Sequence, residues 1–282
     1  MISIFVLSQP PIVFLHGFNS NASLMDLAVN ITKQQIPGVY AVSCEIGNGV
    51  PDSIFTDLFW QLEQLKICIK NDPQLQNGFI GVGHSMGAYL MRGYLQNRTS
   101  DMPRMIRFIS VAGPMAGEFC GIKSSCNELW DAMKLMDSAE LAYSHFVQKH
   151  FSLSNFWRDP YEPRAFIEAK THLSYLDNEV EHNELFKENF CSAELIVLFG
   201  SQNDGIIVPY QSSFFGQYEN GDDDQVSDMR DRDVYKYDKF GLKTMHQQGK
   251  LIMVETSYKH TEYFHSVKFL SVELIKWIKT DE

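Results

Sequence analysis

Apolar positions in this chain follow two rhythms that take turns. Short, mostly apolar runs occupy 11–15, 39–42, 79–82, Met105–Val111, 195–199 and 251–254. A strand covered on both faces has no polar side, so such runs predict buried strands. Between them lie segments with apolar residues three and four apart. In 53–70 these are Phe55, Leu58, Phe59, Leu62, Leu65 and Ile69, the stripe of an amphipathic helix. Residues 25–35, the stretch that opens at Ala88, and 267–279 predict further helices. Strands separated by helices argue for an α/β fold, with a mostly parallel central sheet and helices on both faces.

The rhythm breaks over about 115–190. This stretch is helix-like and aromatic, with Phe119, Trp130, Tyr143, Phe146, Phe156 and Trp157 among its large residues. It predicts a helical cap inserted between two core strands, not a second folding domain. Gly221-Asp222-Asp223-Asp224 predicts a solvated acidic turn, because the spacing of a calcium-binding loop is absent.

Composition narrows the classes of partner. The 282 residues suffice for one large α/β domain with an insertion. A net charge of −11 repels phosphate backbones, which argues against nucleic acid. No apolar run approaches the ~18 residues of a membrane span. No zinc motif, P-loop or G-x-G-x-x-G fingerprint occurs, so no metal and no cofactor is expected. Residues 1–8 are apolar without Lys or Arg, and are read as a short or truncated signal peptide or, equally, a first strand. Five cysteines leave at least one unpaired, and Cys120 and Cys126 are close enough to close a small loop. Asn21, Asn30 and Asn97 head the glycosylation sequons.

The chemistry concentrates in Gly83-His84-Ser85-Met86-Gly87, which follows an apolar run and leads into a helix. That is the context of a nucleophile elbow. The turn strains the serine backbone, and a Cβ two residues before or after would collide across it. Glycine at 83 and 87 meets that demand. A serine hydroxyl needs a base, and the base needs an orienting acid. On an α/β-hydrolase fold the order is serine, acid, histidine. Asp204 follows the run 195–199 and His260 follows 251–254, so these two are expected to complete the site. Asp222, Asp223 and Asp224 are rival acids without a preceding strand. His246 falls before the last strand, His265 is expected to open the last helix, and His84, whose side chain should point away from that of the serine, is expected to be a structural or rim residue. The developing oxyanion needs two backbone donors, expected from Met86 and from Phe18 in the loop His16-Gly17-Phe18.

With these residues in place, the chain resembles the lysosomal palmitoyl-protein thioesterase family nearly end to end. The likeness runs through Leu15-His16-Gly17, Ile36-Pro37-Gly38-Val39-Tyr40, Glu45-Ile46-Gly47, Asn71-Asp72-Pro73-Gln74-Leu75, Phe156-Trp157-Arg158-Asp159-Pro160 and Gly241-Leu242-Lys243-Thr244-Met245. It implies hydrolysis of long-chain acyl thioesters on S-acylated cysteine of proteins or peptides, in a glycosylated lysosomal or secreted protein. It also implies a Cys120–Cys126 disulfide. Met86-Gly87-Ala88 departs from the family's usual Gln-Gly-Gly, which leaves backbone donation untouched. Asn19-Ser20-Asn21-Ala22 replaces an adjacent cysteine pair. Cys68 resembles one half of a further bridge, with no partner near Asn97. An oxyester-cleaving carboxylesterase or lipase would use the same three side chains. A silent binding protein on this fold would have no need of them.

Overall fold

The computed structural model describes residues 9–120, 136 and 138–280. Residues 1–8, Trp130 and Cys126 lie outside them, and with them the leader expectation and one half of the Cys120–Cys126 pair. Six parallel strands form the sheet: β1 (Ile12–Leu15), β2 (Ala41–Cys44), β3 (Phe79–His84), β4 (Met105–Val111), β5 (Leu195–Ser201) and β8 (Leu251–Thr256). Their order is β2-β1-β3-β4-β5-β8. Side chains alternate between two cores. Val13, Leu15, Ile196 and Leu198 face one side, and Ile12, Phe14, Val197 and Phe199 face the other. Both sides are covered, which is why the strands read as unbroken apolar runs.

Helices α1 (Asp26–Gln35), α2 (Val50–Phe55), α3 (Leu58–Asn71) and α4 (Met86–Gln96) follow the first three strands. The single helix expected over 53–70 is two helices. Thr56 is extended, and the Asp57 side chain accepts from the Trp60 amide, so a new helix starts where the apolar stripe continues. The acidic turn is also corrected. Asp222–Ser227 is a strand, β7, paired antiparallel with β6 (Gln217–Glu219). None of the ribbon's residues is fully buried, so it leaves no apolar signal. The closing helix carries a π-helical turn, Phe269–Leu274, and His265 ends a 3-10 helix (His260–His265) instead of opening it. Cys44, at the end of β2, is the missing partner of Cys68 on α3; Cys191 is free.

Between β4 and β5 the described chain forms short helices, among them Pro163–Glu168 and His172–Leu176. Asp177 caps the last of these and is fully buried. Three guanidinium groups converge on it: Arg92 of α4 at 2.5 Å, Arg232 at 2.9 Å and Arg158 at 3.2 Å. Burial alone would raise this carboxyl; the arginine charges outweigh it and hold the group below the usual carboxylate range. Arg92 also lies over the Phe240 and Phe215 rings. Ahead of β1, Gln9 donates to the Ile278 carbonyl at 2.9 Å and accepts from the Thr280 amide at 3.1 Å.

Candidate active site

Strand order fixes where a site can form. The chain leaves β1 for β2 on one side, then returns to place β3 on the other. At such a switch the loops beyond the carboxyl ends of the two strands diverge and open a crevice. His16-Gly17-Phe18 leaves β1 and Ser85 leaves β3. The loops after β5 and β8 carry Asp204 and His260 to the same edge.

Ser85 has φ 55 and ψ −131, a conformation that side-chain-bearing residues rarely adopt. The neighbouring glycines make it possible. A Cβ on Gly83 would overlap the Ala88 backbone, and one on Gly87 would overlap the Leu15 and His16 carbonyls. A Cβ on Gly17 would stand 2.8 Å from the Ser85 Cβ. The β1 loop is therefore packed directly against the serine. Met86 opens α4, so its amide has no intrahelical partner. Among the described residues neither the Met86 nor the Phe18 amide donates to a backbone carbonyl.

The His260 Nδ1–H donates to the Asp204 carboxylate, 2.9 Å from Oδ1 and 3.0 Å from Oδ2. That tautomer leaves Nε2 with its lone pair free. Asp204 Oδ1 also accepts the amides of Ile206 at 3.1 Å and Ile207 at 2.8 Å. The His260 amide donates to the Asp204 carbonyl at 3.0 Å, so two loops 56 residues apart are laced together twice. Both side chains are buried, yet His260 and Ser85 line one cavity of about 320 Å³ with Phe18, Leu24, Ile206 and Phe264. Asp222, Asp223 and Asp224 sit on the hairpin, away from this constellation; Asp223 accepts from the Tyr161 hydroxyl.

Two supporting contacts were not visible in the sequence. His84, expected as a structural or rim residue, is buried, its ring 4.7 Å from that of His260, and its Nε2–H donates to the His260 carbonyl. Burial holds His84 well below the ordinary histidine range, and the His260 charge pushes the same way. It thus braces His260 without adding a charge. His16 spans the Gly17 carbonyl at 3.0 Å and the Glu45 carboxylate at 2.9 Å, fixing the loop that presents Phe18. The Leu15-His16-Gly17 and Glu45-Ile46-Gly47 likenesses mark both partners but not their contact.

A sequence model of the family described as palmitoyl protein thioesterase matches residues 11–260. The chain belongs to that family. It is similar to palmitoyl-protein thioesterase 1 of Caenorhabditis elegans, at 32% identity over 92% of this chain and 89% of that one. Palmitoyl-protein thioesterase 3 of Dictyostelium discoideum is 30% identical over 90% and 86%. The human lysosomal thioesterase PPT2 is 27% identical over 87% and 80%. Among solved structures, a carboxylesterase of Nitrososphaera gargenis superposes with a TM-score of 0.53 at 10% identity, covering 96% of this chain and 90% of that one. A lipase-esterase related protein of Clostridium acetobutylicum gives 0.51 at 12%, covering 97% and 96%. At those identities the likeness is one of fold, and this member of the thioesterase family has the α/β-hydrolase fold.

Proposed function

We propose that this protein hydrolyses long-chain fatty acyl thioesters on S-acylated cysteine, with Ser85 as nucleophile, His260 as base and Asp204 as its orienting acid. The observation that carries the reading is the strained Ser85, held by Gly17, Gly83 and Gly87 in the cavity that His260 also lines. Family membership supplies the thioester chemistry. In the first half-reaction Ser85 Oγ attacks the thioester carbonyl while His260 Nε2 takes its proton. The Phe18 and Met86 amides hold the oxyanion, the C–S bond breaks, and the thiol leaves with that proton. Water then attacks the acyl-serine with the same base, freeing the fatty acid and restoring Ser85. Asp204 keeps the imidazole in the required tautomer and offsets its positive charge. His84 stays neutral behind the pair.

The helical segment between β4 and β5 serves in this reading as a cap, with part of its aromatic lining available to an acyl chain. Relatives named lysosomal support a lysosomal site of action. Asn30 is exposed and Asn97 half-buried, so both can carry glycan in that compartment; the Asn21 carboxamide is engaged by Ser23. A purified Ser85→Ala variant assayed on a palmitoyl thioester should lose turnover by a factor on the order of 10⁶. Near-normal turnover would remove Ser85 from the mechanism. Matched oxyester and thioester substrates then measure the preference: a kcat/KM that favours the oxyester would replace the thioesterase reading with a carboxylesterase one.

A further inference from the structure

A second cavity, of about 410 Å³, lies between the segment after β4, the turn 157–160 and the β6–β7 hairpin. Its walls are laced together. The Glu118 amide donates to the Phe156 carbonyl, the Arg158 amide to the Glu118 carbonyl, and the Gly221 amide to the Pro160 carbonyl. Two guanidinium groups line it, and both are committed. Arg158 binds Asp177 and Glu179, and Arg232 binds Asp177 and the Phe215 carbonyl. Five carboxyl groups in the lining then form no ion pair among the described residues: Glu118, Asp159, Glu219, Asp231 and Asp233.

Glu118 is the decisive one. It is 2% exposed, and its Oε1 has no hydrogen-bond partner. A buried carboxyl oxygen without a donor is costly, and such groups call for an explanation. Burial raises the Glu118 carboxyl well above the usual range, and the Asp204 charge adds to it. Asp159 is raised too, first by burial and then by Glu162 and Asp223 against the amides it accepts. The cavity is short of positive charge. Aromatic rings stand beside the acids: Phe119 lies edge-on to Tyr218 at 6.4 Å and tilted to Trp157 at 5.2 Å. Rings together with carboxylates suit an organic cation. A metal fits less well, because among the described residues only Asp222, Asp223 and Asp224 bring three ligand atoms together, and they do not line this space.

We propose that this cavity binds an alkylammonium or guanidinium group, with Glu118 and Asp159 as its counter-charges and the Phe119 and Tyr218 rings as its walls. The site is independent of the Ser85 reading. Its cation comes either from a basic side chain of an acylated peptide or from a free amine.

Calorimetric titration with N-acetyl-lysine methylamide tests it, with the norleucine analogue as the neutral control. The wild-type protein should bind the lysine compound and not the norleucine one. Glu118→Gln and Asp159→Asn should each weaken binding about tenfold or more, the loss of one charge-assisted contact. Asp159 is half-buried, so its variant carries the test if the Glu118 variant does not fold. Ser85→Ala should leave binding unchanged, which keeps this site's fate separate from that of the active site. Equal binding of the two compounds, no binding at millimolar concentration, or indifference to both carboxyl variants would overturn the proposal. So would loss of binding in Ser85→Ala. Palmitoyl-thioester peptides with lysine or norleucine beside the acylated cysteine then fix the source. A lower KM for the lysine peptide that Asp159→Asn abolishes assigns the cation to substrate; equal KM values with amide binding retained assign it to a free amine.

Discussion

Asp204 and Asp177 are both buried aspartates, and they sit in opposite electrostatic settings. Asp177 meets three guanidinium groups, which carry their charge at every physiological pH. Asp204 meets one imidazole and two backbone amides. The first cluster keeps its charges fixed, so it holds pieces together: α4, the segment between β4 and β5, and the chain after β7. The second pairs its carboxylate with a neutral-capable imidazole whose other ring nitrogen faces the cavity side of the pair, the arrangement the proposed mechanism uses. Two aspartates of equal burial are thus separated by what faces them.

Substitutions at the two sites should divide along that line. The largest expected effect is on turnover. Asp204→Asn, which permits the wrong imidazole tautomer, should lower kcat about 10⁴-fold while the thermal transition barely moves. A variant that melts much earlier but retains turnover would merge the two roles. Asp177→Asn should do the reverse, costing about 3–5 kcal/mol in a denaturant titration because three buried cations lose their partner. Turnover per folded molecule should stay near that of the wild type.

A smaller effect comes from His172, on the helix that Asp177 caps. Burial lowers this imidazole from 6.5 to about 3, with the Arg92 and Lys66 charges adding to the shift. The unfolded chain takes up a proton that the folded one refuses. Stability is therefore fully present above pH 6.5 and falls as pH drops towards 3, by about 1.4 kcal/mol per pH unit for one proton. Denaturant titrations at pH 7 and 5 should show a smaller fall in His172→Gln than in the wild type; parallel curves would remove His172 from the acid sensitivity. The smallest expected effect is Glu45→Gln, which loosens the His16 brace under the Phe18 amide. A kcat loss of about tenfold with KM little changed would match a misplaced oxyanion donor.

Legibility in the sequence tracked the range of the forces involved. The elbow could be read because its constraint is local: Gly83 and Gly87 are dictated by overlaps within one turn and the adjoining strand end. Buried strands could be read because both of their faces are apolar. The break at Thr56 was hidden, since the apolar stripe of α2 continues into α3 across an extended residue. Strand β7 was hidden because an acidic ribbon in water has no buried face to announce it. Cys44 with Cys68, Asp177 with its arginines, and His84 behind His260 depend on which loops meet in space, and no spacing along the chain encodes that. For His84 the sequence left a structural or a rim place open, and the fold decides for the first by packing it against His260.

Gln9 clasps the last helix at the Ile278 carbonyl and the Thr280 amide, so the two ends of the described chain meet at one corner. A few residues of flexible linker would splice 280 to 9 into a continuous ring. New ends could then be opened at Gly38, an exposed position whose added Cβ would touch nothing within 4 Å. In such a permutant the loops after β1, β3, β5 and β8 all remain intact, and Ser85, Asp204 and His260 keep their order along the polypeptide while the β1 loop moves from the start of the chain to its end.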